Sequence, residues 1–423
     1  VGYGSLENQD LTTSTNSYNT AVGYVAGNDI TEGIENVLIG ALAGDKLTHA
    51  DSNTALGYNS LSTDVRGSLS TAIGNDALKL QNFTTATNSH NTAVGNVAGG
   101  AITTGVSNTF LGSASGDAFT DADFNVAIGH AALTTDTLGS RAVAVGYGAL
   151  QDQNFTTATN NYNIGIGYNA GTSITTGVQN TLIGGLAGDA LTDADYNVAI
   201  GKDALSADTL GSQTVAIGYQ ALRLQNFTTA TNSHNVAVGY QAGLDLTTAQ
   251  YSTFVGAFAG SNVTTGDYNV AIGRYALLAN QTGQYNVAVG SNVLDAATGD
   301  SNTAIGHVAG TSVTTGVSNT LMGSTTGDAL TDADYNVALG ATALTSDTMG
   351  SRSTAVGYAT LVMQNQTTAT NTYNTSVGYE GGTNVTTGIQ NTIVGGLAGR
   401  ALTDADYNTA IGMQALTSDT LGS

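Results

Sequence analysis

The feature that most limits the fold is a short pattern ending in glycine that recurs along the whole chain. Residues 19–23 (Asn-Thr-Ala-Val-Gly) are one copy, and related copies continue to residues 408–412, which gives 23 complete units. Most units have 17 residues and one has 16, whereas those that start at Leu69, Arg141, Gln213 and Arg352 have 21. Helical repeats need about 33 to 47 residues for their helix pairs, so these units are too short to be helical.

Each unit is numbered here from the residue before its asparagine, so that Tyr18 is position 1 of the first complete unit. Position 6 is Gly in all units, position 5 is Val, Ile or Leu except at Met322, and position 2 is Asn in most units. This pattern predicts an all-β fold, a parallel β-solenoid or β-roll of about 24 coils stacked about 4.8 Å apart. We expect strands at positions 3–5 and 9–13, with the glycine at the bend between them.

Two sets of positions predict contacts between or within coils. The asparagines at position 2 are expected to form a ladder from coil to coil. Positions 4 and 10 exchange volume, since Ala127 is paired with Leu133, whereas Leu182 is paired with Gly188. A narrow, close-packed interior requires such compensation, so both positions are predicted to face inward.

A longer period of 72 residues combines three 17-residue units with one 21-residue unit. Residues 234–300 are irregular, because this block lacks the long unit. We expect residues 1–423 to form a single continuous array. Ser423 is equivalent to Ser140 and Val1 to Val145, which suggests either a piece of a longer array or ends that are covered by neighbours.

Composition argues against several classes of function. Nine Lys and Arg residues and 31 Asp and Glu residues give a formal net charge of −22, which disfavours nucleic acid and anionic membrane surfaces as partners. The chain has no Cys, and its five His residues are scattered, with His90 and His234 eight coils apart. We found no spacing typical of a nucleophile, a phosphate loop or a metal site, so we expect no enzymatic activity.

The units at residues 125–129, 197–201 and 269–273 read Asn-Val-Ala-Ile-Gly and resemble the head repeats of trimeric autotransporter adhesins. Similar repeats occur in bacteriophage tail-fibre proteins. The resemblance implies a left-handed β-roll that assembles as a homotrimer. We therefore expect an extracellular structural fibre, a cell-surface adhesin or surface filament that forms an extended rigid rod, and that self-associates as a homotrimer or end to end. A tail fibre on a virion is the alternative, and an ice-binding or glycan-binding solenoid is a further one.

Several polar residues are candidates for sites. The element Leu-Thr-Asp-Ala-Asp and its variants could hold calcium, because Ca²⁺ prefers several oxygen ligands, although Asp also suits tight turns. The residues concerned are Asp121, Asp123, Asp193, Asp195, Asp332 and Asp334. The N-glycosylation sequon occurs in the extra length of the four long units, at Asn82, Asn154, Asn226 and Asn365. Glycosylated asparagines or unmodified outward loops both fit this position.

Two further columns are open to more than one interpretation. Tyrosines favour positions 1 and 7, where they could stack on sugars of a surface receptor or pack against each other from coil to coil. Threonines recur at position 14, as at Thr103, Thr120 and Thr175. Ice-binding solenoids expose two such columns, whereas this sequence has one.

Overall fold

The structure is a computed structural model that describes residues 1–12 and 16–420. It is an all-β parallel β-solenoid of about 23 turns, with a spacing of about 17 residues and no helix among the described residues. The predicted fold class is therefore confirmed. Ser423, used above in the comparison of the two ends, lies outside the described residues.

Each repeat forms one coil of the solenoid, and the coils group into two compact units, each about half of the chain. These two compact units are described separately. The first is Val1–Ser212 with Thr228–Thr231, and the second is Gln213–Phe227 with Asn232–Ser423. The strands within residues 1–212 are β1 (Thr20–Val22), β2 (Val37–Ile39), β3 (Thr54–Leu56), β4 (Gly67–Ser68), β5 (Thr71–Ile73), β6 (Thr87–Asn88), β7 (Thr92–Val94), β8 (Thr109–Leu111), β9 (Val126–Ile128), β10 (Gly139–Ser140), β11 (Val143–Val145), β12 (Thr159–Asn160), β13 (Ile164–Ile166), β14 (Thr181–Ile183), β15 (Val198–Ile200) and β16 (Gly211–Ser212). The strands within residues 213–423 are β17 (Val215–Ile217), β18 (Thr231–Asn232), β19 (Val236–Val238), β20 (Thr253–Val255), β21 (Val270–Ile272), β22 (Val287–Val289), β23 (Thr303–Ile305), β24 (Thr320–Met322), β25 (Val337–Leu339), β26 (Gly350–Ser351), β27 (Thr354–Val356), β28 (Thr370–Asn371), β29 (Thr375–Val377), β30 (Thr392–Val394) and β31 (Thr409–Ile411).

Each coil contributes one three-residue strand at positions 3–5, and neighbouring coils pair in parallel without a shift in register. In the first unit, for example, Val143 of β11 pairs with Val126 of β9 on one side and with Ile164 of β13 on the other. Successive side chains of a strand point to opposite faces. Position 4 is therefore buried, as at the fully buried Ala127, whereas positions 3 and 5 point outward.

The prediction of a second strand at positions 9–13 is wrong. Positions 8 and 10 of these coils have left-handed backbone conformations, as at Ala131 (φ 56°) and Leu133 (φ 50°), and these interrupt an extended chain. The segment forms turns, and Leu133 still points into the core. Among the described residues, the additional two-residue strands occur only where a 21-residue coil pairs with the coil before it, as in β10 with β12.

The glycine at position 6 is required for two reasons. Gly129 has a φ of 134°, a region that is essentially open only to glycine. A Cβ atom at this residue would also lie 2.2 Å from the carbonyl oxygen of Gly146 in the next coil. The predicted bend at this glycine is therefore confirmed.

The predicted asparagine ladder is also confirmed. The Asn180 backbone N–H donates to Oδ1 of Asn163 at 2.9 Å, and the Asn197 N–H donates to Oδ1 of Asn180 at 3.0 Å. The Asn180 amide also donates from Nδ2 to the carbonyl oxygen of Ala194 at 2.8 Å. The asparagine side chains thus supply hydrogen-bond partners for buried backbone N–H and carbonyl groups that would otherwise have none.

The volume exchange between positions 4 and 10 is confirmed and extends over two coils. The Phe110 ring fills the space above Gly116 of its own coil, where a Cβ would lie 2.3 Å from the ring. It also fills the space at Gly99 of the preceding coil, where a Cβ would lie 2.6 Å away. One large residue at position 4 therefore requires two glycines at position 10.

The extra four residues of a long coil are anchored by a buried polar network. Asp136 accepts hydrogen bonds from the backbone N–H groups of Gly139 and Phe155, both at 3.0 Å, and from Nε2 of Gln153 at 2.6 Å. Gln153 in turn accepts a hydrogen bond from Nδ2 of Asn163 at 2.8 Å. Burial raises the pKa of Asp136, against the opposing effect of these hydrogen bonds.

Candidate functional surface

The most distinctive surface lies on the outer side of the three-residue strands. Positions 3 and 5 present Thr, Val, Ile and Leu side chains outward, and positions 1 and 7 flank them on either side of the strand. We call these four positions the outward face. Apolar side chains on it are partly exposed, with Ile272 exposed by 40% and Leu111 by 46%. A row of exposed aliphatic side chains is unusual for a chain that is not associated with a partner.

The charges are distributed unequally between this face and the rest of the chain. Of 31 Asp and Glu residues, the outward face contains one, Glu35. Of nine Lys and Arg residues it contains four, namely Arg141, Lys202, Arg274 and Arg352. The rest of the chain therefore holds nearly all of the acidic residues. Charge depletion around an apolar centre with tyrosine at its borders is the composition of a protein–protein interface.

Aromatic rings at the borders of the face stack from coil to coil. In the second unit, Tyr268 lies between Tyr251 and Tyr285, with centroid distances of 4.9 and 5.1 Å and interplanar angles of 4° and 5°. His234 continues this column beyond Tyr251 at 5.2 Å. Because the rings cover each other's faces, mainly their edges remain exposed. This arrangement agrees with the interpretation of coil-to-coil packing and leaves little ring face for a sugar.

A second set of stacked tyrosines marks the long coils at position 7. Tyr147 stacks on Tyr168 at 5.6 Å in the first unit, and Tyr358 stacks on Tyr379 at 5.5 Å in the second. In position 1, Arg352 lies between Tyr335 and Tyr373, 4.8 and 5.9 Å from their ring centroids. Arginine therefore takes the place of a ring between two aromatic residues.

The six aspartates considered for calcium form hydrogen bonds between coils. Asp121 accepts the Thr104 hydroxyl at 2.6 Å, and Oδ1 of Asp123 accepts the Val106 N–H at 2.8 Å. The equivalent residues make the same contacts, with the hydroxyls of Thr176 and Thr315 at 2.6 Å from Asp193 and Asp332, and the N–H groups of Val178 and Val317 at 2.8 Å from Asp195 and Asp334.

These contacts give the acidic element a structural role in joining neighbouring coils. Over residues 1–12 and 16–420, no three His, Asp or Glu side chains are grouped so that they could hold a metal ion. Each carboxylate nevertheless retains lone pairs that its one hydrogen bond does not use. Calcium binding by this element stays an untested alternative to that role.

The sequon asparagines lie at the base of the long-coil excursions. The backbone N–H of Asn154 donates to Thr175 of the next coil at 2.9 Å, and its Oδ1 accepts the Thr137 hydroxyl at 3.3 Å. The second residue of this sequon, Phe155, is buried. The exposed part of the excursion is the following segment, residues 156–158. Asn82 and Asn226 are also half-buried, whereas Asn365 is exposed. Their glycosylation stays a prediction.

Threonines at position 14 use their hydroxyls within the solenoid. Thr103 donates to the Thr120 carbonyl oxygen at 3.1 Å, and Thr175 donates to that of Thr192 at 3.3 Å. These hydrogen bonds run along the stack of coils, so the hydroxyl protons do not point into solvent. The column therefore supports the stacking of coils and gives no support to ice binding.

Sequence reasoning missed a set of aspartates at position 11. One carboxylate oxygen, Oδ1, is buried without a hydrogen-bond partner in each of Asp45, Asp117, Asp189 and Asp328. Burial raises the pKa of all four carboxyls. A carboxylate in this position is costly when charged, which makes the group sensitive to pH.

No protein-family model matches the chain, and no curated protein matches it. Over the part of the chain that the structure describes, no helix has the length and apolar character needed to cross a membrane. The outward face and its borders are therefore the features of the chain that bear on its function.

Sequence reasoning also missed this face as a surface. The signal was present, because positions 3 and 5 are apolar or Thr while position 4 alternates with them. A period of two places positions 3 and 5 on one side of the strand and position 4 on the other. With position 4 assigned to the core, position 5 had to point outward.

Proposed function

We propose that this protein is an extracellular structural fibre, a cell-surface adhesin or surface filament, in which copies of the chain associate through the outward face. The observation that carries the proposal is the combination of exposed aliphatic side chains and depleted charge on that face. Burying apolar surface stabilises association by about 25 cal/mol per Å². Each coil adds the same outward residues, so the contact grows with the number of coils.

The distribution of charge also favours a second copy of the chain as the partner. Outside the outward face the chain has 30 of its 31 acidic residues. Copies therefore repel each other when these surfaces approach, and repulsion falls only when the outward faces meet. Because the contact surface is apolar and the rest of the same chain is strongly acidic, specific assembly through the outward face is favoured over non-specific lateral aggregation. The homotrimer implied by the adhesin-like repeats would place three outward faces around a common axis.

The stacked backbone supports a mechanical role rather than a catalytic one. Ladder hydrogen bonds connect every coil to its neighbours within each unit, and the asparagine side chains add a second ladder inside. Repeats that contact mainly their neighbours are suited to extension by addition of further repeats. We propose no substrate and no catalytic residue, and we place the chain at a cell surface, with a virion tail fibre as the alternative location.

The test compares charge substitutions in two neighbouring coils. In β21, Val270→Asp with Ile272→Asp puts two carboxylates on the outward face, whereas Thr265→Asp puts one on an exposed position outside it. Position 15 naturally holds Asp in other coils, such as Asp193, so the control should fold. Sedimentation equilibrium should show loss of self-association in the first variant and not in the second. Equal masses for all three proteins would refute the proposed interface.

A further inference from the structure

Three stacked tyrosines of the outward face are held in one column by the backbone. Tyr251, Tyr268 and Tyr285 occupy position 1 in three consecutive coils. Their backbones are held in register because Thr253, Val270 and Val287 pair directly across β20, β21 and β22. The parallel ladder therefore fixes three phenol rings one above another.

The rings are close, parallel and accessible. The centroid distances are 4.9 Å between Tyr251 and Tyr268 and 5.1 Å between Tyr268 and Tyr285, with angles of 4° and 5°. Each ring remains about half exposed to solvent. A small oxidant can reach the edges, and side-chain rotation can close the remaining distance between ring carbons. Holding two reactants together in this way raises their effective concentration greatly.

We propose that Tyr268 forms dityrosine cross-links with Tyr251 or Tyr285 under peroxidase and hydrogen peroxide. One new carbon–carbon bond joins the carbons next to the phenol oxygens of two rings, and each ring loses one hydrogen atom. Hydrogen peroxide takes up both hydrogen atoms and is reduced to two water molecules, so the reaction is balanced. The bond covalently joins two coils of the same chain.

Two further observations favour a cross-link of this kind. The chain has no Cys, so disulfide bonds cannot join its coils. Stacked tyrosine pairs also recur on long coils and the coils after them, at Tyr147 with Tyr168 and at Tyr358 with Tyr379. These pairs have the same chemistry available. The inference concerns coils within one chain and does not depend on the proposed function.

The test uses Tyr268→Phe, which keeps an aromatic ring in the column and removes the central phenol. It leaves Tyr251 and Tyr285 two coils apart, about 10 Å, too far for coupling. Tyr335→Phe is the control, because Arg352 rather than a second phenol lies over that ring. The full chain and both variants are treated with peroxidase and hydrogen peroxide, and the cross-linked peptides are mapped by mass spectrometry.

Isotope labelling distinguishes links within a chain from links between chains. In an equal mixture of ¹⁴N and ¹⁵N protein, we expect cross-linked peptides that contain Tyr268 to be entirely light or entirely heavy. We also expect them to disappear in Tyr268→Phe and to be unchanged in Tyr335→Phe. Hydroxylated tyrosines without dityrosine at Tyr268, or mainly mixed-isotope peptides, would overturn the inference.

Discussion

The exchange of volume between positions 4 and 10 gives a double substitution with a defined outcome. Phe110 is fully buried, and Gly116 lies against its ring. Phe110→Ala removes a buried ring and should cost about 3–5 kcal/mol of stability. Gly116→Leu alone forces a side chain into a space where even a Cβ would lie 2.3 Å from the ring. Overpacking of this kind should cost at least about 1–3 kcal/mol.

The two changes together recreate an arrangement that the next coil already has, with Ala127 at position 4 and Leu133 at position 10. Leu133 has a φ of 50° and Gly116 a φ of 55°, so the backbone at Gly116 is suited to leucine. We expect the double variant to lose only about 1–3 kcal/mol, because the space at Gly99 stays partly empty. The favourable coupling should therefore be about 2 kcal/mol or more, above what independent sites show.

Hydrogen exchange of the β2, β8 and β9 amides measures the free energies of opening around Gly44, Phe110 and Gly116. Gly44→Leu is the mismatched control, because the side chain that Gly44 contacts is Leu38 and not Phe110. Phe110→Ala combined with Gly44→Leu should therefore show additive losses. Additive losses in Phe110→Ala with Gly116→Leu as well would refute the packing argument.

Four further predictions concern backbone, polar groups, pH and metal. Gly129→Ala should destabilise its coil by several kcal/mol, since both its φ and the Gly146 carbonyl oxygen exclude a Cβ; a local rise in hydrogen exchange would show it. Asn180→Ala should cost about 1–3 kcal/mol in chemical denaturation because it leaves buried ladder groups unpaired, and an unchanged midpoint would contradict the ladder. Burial raises the folded-state pKa of Asp117, so its contribution to stability is complete below the unfolded pKa and is lost as pH rises through the folded pKa. Thermal unfolding should therefore show greater stability near the unfolded pKa of aspartate, about 4, than at pH 7, and Asp117→Asn should reduce that difference. A metal chelator should leave the unfolding temperature unchanged, because the aspartates considered for calcium already bond neighbouring coils; a clear decrease would favour calcium.

The repeat predicted the main features of the fold because each depends on residues at a fixed position. Gly129 and its equivalents defined the bend, Asn180 and its equivalents the inner ladder, and pairs such as Leu182 with Gly188 the core. In the coil of Ala93 and Gly99, positions 4 and 10 are both small, so the exchange of volume within one coil does not hold there. The explanation lies in the next coil, where Phe110 fills the space, so a unit considered alone could not supply it.

The prediction of a strand at positions 9–13 was wrong for a different reason. Leucine has no preference for left-handed backbone, and Leu133 in this conformation gives no local signal. The ladder hydrogen bonds and the buried side chain together impose a conformation that the residue alone would avoid. The position 11 aspartates were missed similarly, because half-burial depends on the path of the turn and not on the residue type.

The position of the outward face in the assembled fibre is the central claim, and electron cryomicroscopy of the native fibre tests it most directly. We expect several copies to share each cross-section, with positions 3 and 5 packed against neighbouring copies and the acidic surfaces toward solvent. Attachment to a cell envelope would favour the adhesin or surface filament, and attachment to virions the tail fibre. A cross-section with one copy, and with Ile272 and its equivalents in contact with solvent, would contradict association through the outward face.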